Sequence, residues 1–193
     1  NWHAPFYLVG FLGLIVIPLI YFFVPNVKGH LTGGKPQKAI SVITEILKNP
    51  NQMRALALSV VIMLGHFSII PYISPSLVSN AGFAENDIYL IYLVGGLCTI
   101  ISAPLGGKLA DKKGKFPIFV VFAILSMLPI FLITNLRPMP LYVILGVSAL
   151  FFVATNGRII PTQAMVSGVV LPRQRGSFMA INSSVQLLAQ AIA

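Results

Sequence analysis

Acidic side chains are almost missing from this chain. Its 193 residues hold four Asp and Glu against 13 Lys and Arg, and charged residues make up only 9%. A soluble domain carries about 25% charged residues, so this surface could not be kept in water. There is one cysteine, Cys98, inside an apolar run. It permits no internal disulfide and points to no redox compartment. The three histidines are scattered, so no metal site is expected. No phosphate loop is present, because "APLGGKL" lacks the spacing and the Ser/Thr after lysine. No cofactor and no enzyme chemistry are expected. The net charge of +9 would fit nucleic acid if it formed a patch. The cations are instead confined to short segments between apolar runs, and no nucleic-acid partner is expected.

What the chain has is hydrocarbon: 56% of its residues are hydrophobic. About 20 apolar residues cross a bilayer core of about 30 Å as a helix. Five such runs are legible: Pro5–Val24, Ala55–Val78, Ile88–Leu109, Pro117–Thr134 and the long Leu141–Val170. A sixth starts near Phe178. The runs are continuous rather than alternating, which excludes barrel strands. The fold class is therefore all-α integral membrane, multi-pass. The first residue is Asn1, and the chain stops at Ala193 midway through a helical pattern. This reads as a piece of a longer protein.

Lysine and arginine orient the spans. Lys28, Lys35, Lys38, Lys48 and Arg54 follow span one. Lys108, Lys112, Lys113 and Lys115 follow span three, and Arg173 and Arg175 follow span five. The opposite loops hold Glu85 and Asp87, then Arg137. Positive charge falls on every second loop, so the basic loops are expected in the cytoplasm and Asn1 outside. Three regions follow: residues 1–24, a span; 25–53, a linker; and 54–193, a helical bundle. Within the linker, Lys38, Ser41, Glu45 and Lys48 share one helical face, with Ile40, Ile43, Ile46 and Leu47 mainly on the other. That pattern predicts a short helix lying on the membrane surface.

Prolines and glycines punctuate the spans. They are read either as ordinary kinks or as a broken helix at a binding site. The second span, with Pro71 and Pro75, is the first candidate for a break.

Gly107, Asp111, Lys112, Gly114 and Lys115 fit G-x-x-x-D-[RK]-x-G-[RK]. This resembles the cytoplasmic signature of the major facilitator superfamily, which follows the second helix of each six-helix half. The resemblance implies that span one is helix six, residues 25–53 the bridge between halves, and the rest the second half as far as helix eleven. The chain would then be part of the family fold, and its first half a missing partner. "NGRIIPTQAMVSGVVLPRQRG", Asn156 to Gly176, partly resembles the buried arginine and terminal P-x-x-R-G of the family's fourth helix, carried into helix ten. "PYISPSLV", Pro71–Val78, resembles helix seven of the drug–proton antiporter branch. Because the halves are repeats, spans three to six could also be helices two to five. The extra span and long linker argue against that. The signature implies a cytoplasmic gate, in which Asp111 meets the positive end of a helix or a basic partner while that face is closed. Lys115 departs from the frequent arginine and cannot make the same two-point contact. Without the family, the loop reads as plain topology, its two glycines permitting a tight turn.

Polar groups inside the membrane are costly, so their positions inform. Spans one and four are nearly pure hydrocarbon. Arg158 lies deep in span five and stays charged. It needs a carboxylate, carbonyls or a water-filled cavity. It reads as a contact for an anionic substrate or coupling acid, or as a clamp between helices. Every acid in the chain lies in a loop or the linker, so a carboxylate partner would come from the missing half. His66 is either a proton carrier or a neutral histidine bonded to a neighbouring helix. Asn182, Gln186 and Gln190 share a face of span six, to line a cavity or glue helices. Asn156 and Tyr72 complete the substrate or coupling candidates, with Tyr92 a second aromatic.

The expected function is secondary active transport, proton-coupled export of a small molecule of drug, sugar or nucleoside type. The alternatives are an uptake symporter, and a non-transporting scaffold or sensor on the same fold. The expected partners are substrate, proton, bilayer and first half. The expected place is the plasma (inner) membrane.

Overall fold

The computed structural model describes residues 2–24, 39–172 and 174–193, without the side chains of 39, 40 and 42. The basic positions Lys28, Lys35, Lys38 and Arg173, and the glycine-rich part of the linker, lie outside the described residues. Among the described residues there is no strand. Two compact units are present, Asn1–Lys38 and Ala39–Ala193. The first contributes α1, Ala4–Phe23, with proline in its first turn and Pro18 inside it.

The second unit contains α2 (Ala39–Lys48), α3 (Pro50–Phe67), α4 (Ile70–Ala81), a 3-10 turn at Glu85–Asp87, α5 (Ile88–Lys113), α6 (Lys115–Thr134), α7 (Leu141–Gly168) and α8 (Arg175–Ile192). With α3 and α4 taken together, five helices in the described chain are long and apolar enough to cross a membrane. The sixth run, α8, is more polar and falls outside that set. The fold class read from the sequence is thus the one observed.

Three apolar clusters stack along the bundle. One joins Ile73 and Leu77 of α4, Ile91 of α5, Ile133 of α6 and Phe151 of α7. The middle one joins Ile62 and Met63 of α3 to Ala189 of α8, with Ile159 and Phe119 packed against it. The third joins Ile46 of α2, Leu56 of α3, Val166 and Val170 of α7, and Phe178 of α8. Lipid tails are as apolar as leucine, so close packing rather than the hydrophobic effect holds such helices together. Glycines make that packing possible. A Cβ at Gly157 of α7 would fall on the Phe122 ring of α6, and one at Gly95 of α5 on the Phe152 ring of α7.

One expectation is met and two change. First, the second span, the first candidate for a break, is two helices. α3 ends at Phe67 and α4 starts at Ile70, with Pro71 in the first turn of α4, where a missing N–H costs nothing. The residue before a proline avoids the helical region, yet α4 already includes Ile70, so the break sits at Ser68–Ile69. Ser68 softens it, its Oγ donating to Leu64 O at 2.7 Å.

Second, the basic signature is mostly helix rather than loop. α5 runs through Asp111 to Lys113, and Gly107 is an ordinary helical residue. The whole reversal falls on Gly114, at φ 96° and ψ 141°, a region that residues with a Cβ avoid. One glycine, not two, makes the turn.

Third, α2 docks on protein. Ile46 is only 1% exposed, buried among Leu56, Val166, Val170 and Phe178. Gln174 Nε2 donates to Glu45 Oε1 at 2.8 Å, tying α2 to the α7–α8 connection. Ile43 and Leu47 stay exposed, and the side chain of Ile40 lies outside the described residues. The apolar face is therefore divided between protein and surroundings.

Candidate functional site between α3, α6 and α7

Arg158 stands on α7, half-buried. Its Nη1 donates to Ser126 Oγ of α6 at 3.4 Å. Ser126 is itself buried and donates to Ala123 O at 2.8 Å, so its oxygen is free to accept. The Nε of Arg158 is buried with no hydrogen-bond partner among the described residues. Thr162, four residues on, donates to the Arg158 carbonyl at 2.7 Å. α7 runs unbroken through Pro161, so the proline does not open the helix beside the arginine.

His66 lies in the last turn of α3, two residues before the break. It is half-buried, and its Nδ1 has no partner among the described residues. Its ring meets Phe67 edge-on at 5.4 Å. Its neighbour Phe67 and Arg158's neighbour Ile159 pack against the same apolar cluster, where α3 meets α7. The fold thus places two candidates separated by 92 positions in sequence on helices that pack together, without a carboxylate bonded to either among the described residues. The four acids lie elsewhere: Glu45 in α2, Glu85 and Asp87 in the 3-10 turn, and Asp111 in the last turn of α5.

The other candidates are dispersed. Asn156 points to the α5 side of α7, where its Nδ2 donates to Phe152 O at 2.9 Å and to Thr99 Oγ1 at 3.3 Å. Asn182 is buried on α8, its Oδ1 unpartnered among the described residues. Gln186 is half-buried on the same helix, and Gln190 makes a weak contact to Met63 Sδ at 3.7 Å. Tyr72 is exposed and borders a cavity of about 160 Å³ with Ser68, Ser76 and Thr134. Tyr92 instead bonds Ser74 of α4 at 2.9 Å and stacks edge-on near Phe152.

In the signature, Lys115 Nζ donates to Ala164 O near the end of α7, at 3.3 Å. A cation at a helix C-terminus is favourable. Lys112 and Lys113 have the same relation to their own helix, α5. Asp111 does not. It is an exposed acid at the negative end of its helix, the unfavourable place for one.

Sequence reasoning missed Ser126 and Thr99, which sit in otherwise apolar or small-residue surroundings. It also missed the Ser148, Thr155 and Thr162 series on α7, all buried. Their sevenfold spacing was the available signal, because residues seven apart share a helix face.

Apolar helices long enough to span a bilayer, a discontinuous one among them, and a cation held between α6 and α7 fit a multi-pass membrane protein. The family model of the Major Facilitator Superfamily matches residues 1–193. The chain belongs to that superfamily, a family of transporters rather than enzymes. It is 25% identical over 139 residues to the "Probable sugar efflux transporter" of Helicobacter pylori (strain ATCC 700392 / 26695), covering 71% of this chain and 34% of that protein. It is 23% identical over 200 residues to the "Uncharacterized MFS-type transporter YbcL" of Bacillus subtilis (strain 168), covering 100% of this chain and 47% of that one. The chain therefore spans less than half the length of these relatives. No solved structure matches it.

Proposed function

We propose that this chain forms most of the second half of a proton-coupled exporter of small molecules of drug, sugar or nucleoside type, working by alternating access. In this reading α1 is family helix six, α3 and α4 together are helix seven, and α5 to α8 are helices eight to eleven. The basic segments face the cytoplasm, and the protein sits in the plasma (inner) membrane. The assignment to the drug–proton antiporter branch rests on the resemblance at Pro71–Val78. The sugar option is favoured by the printed name of the Helicobacter relative.

One observation carries the transport reading: half-buried Arg158 is held between α6 and α7 with its Nε unpartnered among the described residues and no acid of this chain bonded to it, while His66 stands at the helix break of α3 and α4. An arginine facing hydrocarbon costs about 2.5–3.5 kcal/mol on insertion scales. A purely structural clamp would satisfy its donors; this one leaves Nε open. Arg158 then meets an anionic group of the substrate or the coupling acid of the first half. Discontinuous helices at such sites are a recurring feature of transporters.

The signature works as a gate. Lys115 tethers the α5–α6 turn to α7, while Asp111 stands free at the wrong end of its own dipole. A positive partner from the first half would relieve that, and only with the cytoplasmic face closed.

The test is full-length protein in vesicles with an imposed proton gradient. Uptake of substrate into inside-out vesicles should follow an acidic lumen and reverse when the gradient reverses. Flux indifferent to the gradient removes proton coupling. Labelling of a cysteine at Lys113 from outside intact cells removes the orientation.

A further inference from the structure

The α3 residues buried in the bundle are Gln52, Ala55, Leu56, Ser59, Ile62 and Met63, one face of the helix. Those of α8 are Phe178, Asn182 and Ala189, again one face. Phe178 shares a cluster with Ala55 and Leu56, and Ala189 one with Ile62 and Met63. The two helices therefore run side by side in the same direction, and Asn182 lies at the level of Ser59. Ser59 Oγ and Asn182 Oδ1 are each on residues 1% exposed, and neither has a hydrogen-bond partner among the described residues. Gln52 Oε1, seven residues before Ser59, and His66 Nδ1, seven after it, share that condition. On α7, Ile159 joins the Met63 cluster and Val166 the Leu56 cluster. That register puts Thr155, whose buried Oγ1 is also unpartnered, at the level of His66.

Buried polar atoms in native proteins are satisfied by protein or by ordered water, and exceptions call for a ligand. In a bilayer, no solvent can fill that need from outside. Ser102 Oγ of α5 and Ser148 Oγ of α7 are unpartnered as well, but Gln52, Ser59 and His66 fall at one helical period on α3, and Asn182 lies across from Ser59 on α8. We infer that a file of bound water runs along the α3–α8 seam, from Gln52 past Ser59 and Asn182 to His66. Successive polar levels on α3 are roughly 10 Å apart, three or four hydrogen-bond lengths of about 2.8 Å. Gln186 and Gln190 stand between levels on α8. Water in the seam gives each orphaned atom of α3 and α8 a partner. It also connects the Gly114 end of the bundle to the middle of the membrane. If the exporter is proton-coupled, as proposed above, this file is a path by which hydrogen-bonded protons reach His66.

The experiment reads water rather than transport. Purified full-length protein in lipid nanodiscs is exposed to a brief X-ray pulse in water carrying heavy oxygen, so that radicals born at bound water mark neighbouring side chains. Met63 is the reporter, since it is 7% exposed and touches Gln190. Met127 in the apolar α6, 67% exposed and outside the seam, sets the background. Met63 should take the label above Met127 in the wild type and lose it in the double variant Ser59→Ala with Asn182→Leu. Apolar replacements leave no buried polar atom to satisfy at these two positions, so the double variant should fold. Should the double variant fail to fold, Gln52→Leu at the mouth should produce the same loss. Met63 unlabelled in the wild type, or equally labelled in the folded variants, overturns the water file. Absent flux beside a labelled seam would count against transport alone.

Discussion

Arg158 on α7 and Ser126 on α6 meet through one long hydrogen bond, Nη1 to Oγ at 3.4 Å. A guanidinium has five donors, and a serine can occupy one or two of them. The pair therefore positions the arginine without neutralising it, which leaves its charge for something else.

Arg158→Lys should keep the charge and lose planar two-point recognition. Flux per folded molecule should fall substantially, with expression and thermal stability close to wild type. Arg158→Gln should lose binding or coupling outright. Should both variants lose folded yield in step with flux, the arginine is a clamp. Normal flux from a stable Arg158→Gln removes both roles.

Asp111→Asn keeps volume and removes the one negative charge of the signature. A closed-state contact worth about 1–2 kcal/mol shifts the ratio of states about 5–30-fold. Distance measurements between spin labels across the cytoplasmic mouth of the full-length protein should show more inward-open molecules. An unchanged distribution would leave Asp111 without a gating role.

Gly114→Ala should strain the only connection between α5 and α6. The glycine's φ of 96° lies in a region costing a residue with a Cβ about 1–3 kcal/mol. Gly107→Ala, in the helix with open space at its Cβ position, should be neutral or slightly stabilising. Equal melting shifts for the two variants would contradict the one-glycine turn.

Gly157→Ala should destabilise by about 1–3 kcal/mol, the usual cost of overpacking, because the Phe122 ring occupies the space a Cβ needs. Adding Phe122→Leu should return part of the loss. Thermal unfolding in detergent, scored for both single variants and the double, checks the coupling.

Asn49→Ala should cost about 1 kcal/mol. Asn49 Oδ1 caps α3, accepting from Asn51 N at 3.0 Å and Gln52 N at 3.3 Å. Asn49→Asp keeps an acceptor there and should keep the stability. A loss of equal size in both variants would show that the cap is not the cause.

Five apolar runs of spanning length, their approximate ends and the break near Pro71 were legible in the sequence alone; the sixth run, α8, is more polar and falls outside that set. Spanning length is a property of consecutive residues, and lipid leaves the backbone no alternative to helix within them. Arg158 stood out for the same reason, since charge in hydrocarbon is conspicuous without any neighbour. Which way each helix faces was not legible. Between lipid and protein interior there is no hydrophobic contrast to mark the buried side. So Asn156 and Arg158, two positions apart, turn to α5 and α6 respectively, and only the fit of Phe152 on Gly95 and Phe122 on Gly157 decides that. Ser126 became a partner of Arg158 through the same packing, in a helix that looked like plain hydrocarbon. Ile46 was pulled from an expected membrane face into a protein cluster by side chains more than a hundred residues away. Contacts of that range belong to the tertiary structure, because shape complementarity between distant segments has no local signature in the chain.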